Sequence, residues 1–126
     1  MTTVEEITNC IELIDRSLAV TYDHTNPDEV SGKITEYVTI LALTGEMYAA
    51  SKRLMKQEQG RLAEQHSKSG LSATERKQII EGKTADLVYL VEKTDRQNAA
   101  LTHAIDGLRS QLSFIKADME RARYAN

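Results

Sequence analysis

Two pairs of carboxylates are spaced for chemistry, Glu12 with Asp15 and Glu92 with Asp95. Positions three apart share one face of a helix, and paired carboxylates there can share a magnesium ion. Other reactive side chains are sparse. His103 has Asp106 within one turn but no second histidine at ligand spacing, while His24 falls in a break and His66 in a polar stretch. No nucleophile with a companion base can be picked out from these positions. Cys10 is the one cysteine. It allows no intramolecular disulfide and no cysteine-rich zinc site, and its apolar neighbours at helical spacing make it a small core residue. These positions predict no catalytic residues, no bound metal and no cofactor, in a protein that is not an enzyme.

A second kind of chemistry is contact with a polyanion. Residues 51–83 hold Lys52, Arg53, Lys56, Arg61, Lys68, Arg76, Lys77 and Lys83 against Glu58, Glu64, Glu75 and Glu81. Lys52, Arg53, Lys56, Arg61, Arg76 and Lys77 are the candidate phosphate contacts, positioning without reading bases. No aromatic residue stands between Tyr48 and Tyr89 to stack a base. A solvated arm accounts for the same charges. The net charge of −3 is small, but it is unevenly spread: residues 1–50 carry nine acidic and two basic side chains, residues 51–126 ten and fourteen. Such asymmetry can guide the acidic part of one chain to the basic part of another.

The elements that would position these residues are helices. One proline, no tryptophan and an abundance of Ala, Leu, Glu, Lys, Arg and Gln predict an all-α chain folded as a single domain over residues 1–126. A Thr-x-x-Glu start followed by Val4, Ile7, Ile11, Ile14 and Leu18 predicts a short helix over 3–21. Asn26, Pro27, Asp28 and Glu29 open a second helix over 27–68, with two apolar rows and a wide buried face. Ser69-Gly70-Leu71 makes a turn, and Ser72 opens a third helix over 72–123. A short connection between two long helices predicts an antiparallel, coiled-coil-like hairpin.

The last helix carries a seam at alternating steps of four and three. It runs Ile80, Thr84, Leu87, Val91, Thr94, Asn98, Leu101, Ile105, Leu108, Leu112, Ile115, Met119 and Ala122. A stripe so long and narrow suits one or two partner helices, so the chain is expected to self-associate into a helical bundle. The interface is expected at Leu87, Val91, Asn98, Leu101, Ile105, Leu108, Leu112, Ile115 and Met119, with Asn98 fixing register because mispaired alternatives leave its amide unsatisfied.

The run Ala-Leu-Thr-His-Ala-Ile-Asp-Gly-Leu-Arg-Ser-Gln-Leu-Ser-Phe-Ile-Lys, within residues 83–120, resembles the C-terminal helix of small helical proteins of bacteriophages and prophages. Genes of that group often lie near replication or recombination genes. The resemblance implies an accessory role beside DNA-processing or assembly proteins and supplies no catalytic residues. The two Glu-x-x-Asp pairs resemble those of all-α nucleotide pyrophosphohydrolases. That family sets its motifs closer together and adds a Glu-x-x-Glu pair that is missing here. The N-terminus lacks a signal-peptide pattern, and no apolar run approaches the ~20 residues of a membrane span. The expected protein is therefore a cytoplasmic, non-enzymatic oligomeric interaction or accessory protein. A nucleic-acid-binding module using the basic tip is the alternative, and a magnesium-dependent nucleotide hydrolase the third reading.

Overall fold

The computed structural model describes residues 1–125, and all four of their regular elements are helices. Helix α1, Val4–Ala19, begins where Thr3 and Glu6 satisfy each other's backbone N–H groups in a reciprocal cap. Its buried residues Ile7, Ile11 and Ile14 fall on one stripe. Helix α2, Pro27–Gln65, is capped by Asn26, whose Oδ1 accepts from the N–H groups of Asp28 and Glu29. Pro27 sits in the first turn, where its missing N–H costs nothing. The chain then reverses through a turn in which Gly70 adopts φ +74°, a left-handed conformation that a Cβ would disfavour. Helix α3, Ala73–Lys83, is capped by the Ser72 hydroxyl, and helix α4, Ala85–Tyr124, follows at once.

Helices α2 and α4 form the body of the fold and run antiparallel: Thr44 meets Asn98, while His24, just before α2, meets Gln111. Helix α1 lies against both and runs parallel to α4. Its N-terminal half joins Met47, Ala50 and Leu90 through Ile7 and Ile11; its C-terminal half joins Val30, Tyr37, Leu101, Ile105 and Leu108 through Ile14. Sixteen residues of helix are marginal alone, so this packing is what holds α1 in place.

Beyond shifts of a single residue, the helix bounds differ from the sequence reading in three places. α1 ends at Ala19 rather than 21, and α2 at Gln65 rather than 68. The helix read over 72–123 is two helices, α3 and α4, meeting at Thr84. Thr84 is buried with φ −106° and ψ 9°, and both its N–H and its hydroxyl donate to the Ile80 carbonyl, at 3.0 and 2.7 Å. A β-branched residue that takes a local carbonyl with its own hydroxyl, two places after Gly82, is a weak point for a helix. Periodicity carried across it because Ile80 and Thr84 keep the seam spacing.

Candidate interaction surface

The seam of α4 divides into two parts. Over its first two thirds it is covered within the chain. Leu101, Ile105 and Leu108 are buried among Ile14, Val30 and Tyr37, and Leu87 packs on the cluster around Ile7 and Met47. Val91 is half-buried. The helices that hide this stretch are α1 and α2 of the same chain. Leu112 and Ile115 are half-buried at the edge of that core, and Met119 is 59 % exposed. The division follows from length: α2 starts at Pro27, which shares a cleft with Gln111, Ile115 and Met119, and α4 continues past it. Every residue from 116 to 125 is exposed, as is Phe114.

Asn98 sits where the seam placed it, but the register it fixes is internal. Its Nδ2 donates to the hydroxyl of buried Thr44 at 2.8 Å, and that hydroxyl donates to the Leu41 carbonyl at 2.7 Å. Asn98→Ala removes one link between α2 and α4 and leaves Thr44 locally bonded. A loss of about 1 kcal/mol in urea denaturation is expected.

Gln97 was missed by the seam reading and ties down α1. Its buried Nε2 donates to the Ile11 carbonyl and to Asp15 Oδ1, both at 2.9 Å. Lys93 adds an ion pair to Asp15 at 3.1 Å. The Gln97 hydrogen bond above all, with Lys93 adding to it, outweighs the desolvation of burial and holds the Asp15 carboxyl below the ordinary carboxylate range. A carboxyl depressed in the folded state adds stability above its unfolded pKa and loses it as pH falls through the folded value. The docking of α1 should therefore weaken below about pH 4, and Asp15→Asn should flatten that part of a stability-against-pH curve. Asp15 is 48 % exposed, so solvent screening keeps the effect small.

Lys33 is a second buried polar residue that the apolar rows passed over. Its amine pairs with Glu36 at 3.0 Å and lies 5.9 and 5.5 Å from the rings of Tyr22 and Tyr37. The spacing Val30, Lys33, Tyr37 already put it on the buried face.

The carboxylate pairs are not brought together. Glu12 and Asp15 border a cleft with Lys93, whereas Glu92 lines a different one beside Gln59 and Glu81. Where a shared cation would need more carboxylates, Asp15 instead meets an ammonium and an amide. Among the described residues no group of three or more His, Cys, Asp or Glu side chains could hold a metal ion. Cys10 is half-buried, and its thiol is pushed up by burial and then by Glu6.

The basic tip is partly self-neutralised. Arg61 binds Glu58 through Nε and Nη2, Lys77 lies 4.0 Å from Glu81, and Lys52 rests over the Tyr48 ring at 5.7 Å. Arg76 and Lys77 share one wall of a cleft of ≈ 630 Å³ between α3 and the end of α2, with Ala63 and Ile80 on its apolar floor. Arg53 and Lys56 are exposed further back along α2. Thus the structure gathers two of the six candidate phosphate contacts into one place and spreads the rest.

The class the geometry defines is a unit of three packed helices with a helical tip and an overhanging C-terminal helix. Compared with protein-family models, with curated proteins and with solved structures, the chain matches none. No helix among the described residues is long and apolar enough to cross a membrane.

Proposed function

We propose that this chain is a self-associating helical interaction protein whose work is done by contact rather than by catalysis. The observation that supports it is the C-terminal part of the α4 seam, where apolar Met119 is 59 % exposed past the start of α2, with Phe114 and Tyr124 exposed on other sides of the same helix. Apolar side chains on a helix that continues past its own core gain by meeting another helix. The likeness of residues 83–120 to phage-encoded helical proteins suggests an accessory role beside DNA-processing or assembly proteins. Polyanion binding by the tip has weaker support, because Arg61 and Lys77 already have acidic neighbours. A nucleotide hydrolase has weaker support still, with its two carboxylate pairs in separate clefts.

Light scattering on the full chain at tens of micromolar tests the reading. A mass of two chains or more is expected, and a single-chain mass at every concentration would refute it. A salt-dependent DNA shift lost on charge reversal of Lys52, Arg53, Arg76 and Lys77 would favour the polyanion reading instead.

A further inference from the structure

We propose that the overhanging end of α4 pairs antiparallel with the same segment of a second copy of this chain, closing a twofold dimer. This rests on the self-association reading and adds where the contact lies and which way the chains run.

Position comes from the seam. Leu108 is the last seam residue fully covered within the chain, and from Leu112 onward cover falls away until Met119 is mostly exposed. The line that α2 follows along α4 ends at Pro27, beside Gln111 and Ile115. A second α4 occupying the continuation of that line would meet Leu112, Ile115 and Met119 as α2 meets Leu101, Ile105 and Leu108.

Direction comes from sterics and charge. A copy running parallel along this seam would collide with Pro27 and the connection over residues 20–26. A copy running antiparallel enters from the free end and stops where α2 begins. The end that arrives there carries Arg121 and Arg123, and the corner it reaches holds Asp23, Asp28 and Glu29. The negative C-terminal end of one helix then faces the positive N-terminal end of the other. Between His24, Pro27, Phe114 and Met119 lies a cleft of ≈ 340 Å³, room for a side chain such as the second copy's Tyr124, which is 85 % exposed in the single chain. A twofold axis sets the overhanging end of each copy against that of the other, an isologous and therefore closed contact.

Sedimentation of the full chain and its variants provides the test. The wild type should be a dimer. Met119→Glu, at a position too exposed to upset the fold, should raise the dimer Kd about tenfold or more, with helix content unchanged by circular dichroism. Arg121→Glu with Arg123→Glu should weaken the dimer by a few-fold, and adding Asp28→Lys should recover part of the loss. A wild-type monomer overturns both this inference and self-association. A dimer indifferent to Met119→Glu overturns the α4 contact alone and leaves self-association standing elsewhere. A dimer that Met119→Glu breaks, but whose charge reversals Asp28→Lys does not rescue, overturns the antiparallel direction.

Discussion

Leu101→Ala is expected to lower stability by about 3 kcal/mol and the melting temperature by about 10 °C. The side chain is 0 % exposed and touches the cluster where all three packed helices meet: Ile14 from α1, Val30 and Tyr37 from α2, and Ile105 and Leu108 from α4. Truncation removes buried carbon and leaves a cavity that three rigid backbones can fill only in part, so transfer and cavity costs add. Leu101→Met keeps the volume and should cost less than about 1.5 kcal/mol. Thermal and urea denaturation at fixed protein concentration would measure both. A loss below about 1 kcal/mol for the alanine variant would mean that Leu101 is not at the centre of the core.

Ile14→Asp is expected to release α1 from the other two helices. Ile14 is 0 % exposed and is the one buried α1 residue of the larger core cluster, with Leu18 half-buried at its edge. The buried cation of this region, Lys33, already pairs with Glu36, so burial of a carboxylate at position 14 costs several kcal/mol, of the order of ~3 or more. Undocking exposes the carboxylate to water and avoids that cost. The freed segment is then too short to stay helical alone. Limited trypsin digestion should cut after Arg16 far sooner in the variant than in the wild type, while α2 and α4 remain helical by circular dichroism. Equal protection of Arg16 in both proteins would contradict the three-helix arrangement.

The sequence made the helical class legible through the 3.6-residue spacing of Ile7, Ile11 and Ile14 and through caps such as Thr3, Asn26 and Ser72. It also marked the seam, because Leu101, Ile105 and Leu108 repeat where one helix face must be apolar. What spacing could not show is which helix covers that face. The same a/d pattern suits an α2 of the same chain or an α4 of another, and only the tertiary fold distinguishes them. Gln97 stayed hidden because a lone glutamine beside the seam reads as surface; its role exists only once the Ile11 carbonyl and Asp15 are beside it. Thr84 stayed hidden for the opposite reason, since its spacing agreed with a continuous helix while its hydroxyl worked against one. Lys33 was readable from its place between Val30 and Tyr37, had its long apolar stem been counted as core material.

Basic residues show the same limit at the tip. Their number over residues 51–83 is plain in the sequence, but Arg61 and Lys77 each have an acidic partner one turn away. Charge runs on helices commonly resolve into such local pairs, which leaves fewer free cations than a count implies.

Hydrogen exchange along α4, followed as a function of protein concentration, probes most directly the claim that its seam is closed in two parts. Amides over residues 90–108 should be protected at every concentration, because α1 and α2 cover them. Amides over residues 113–124 should exchange fast when dilute and become protected as the protein is concentrated. Fast exchange of residues 113–124 at all concentrations would contradict the account.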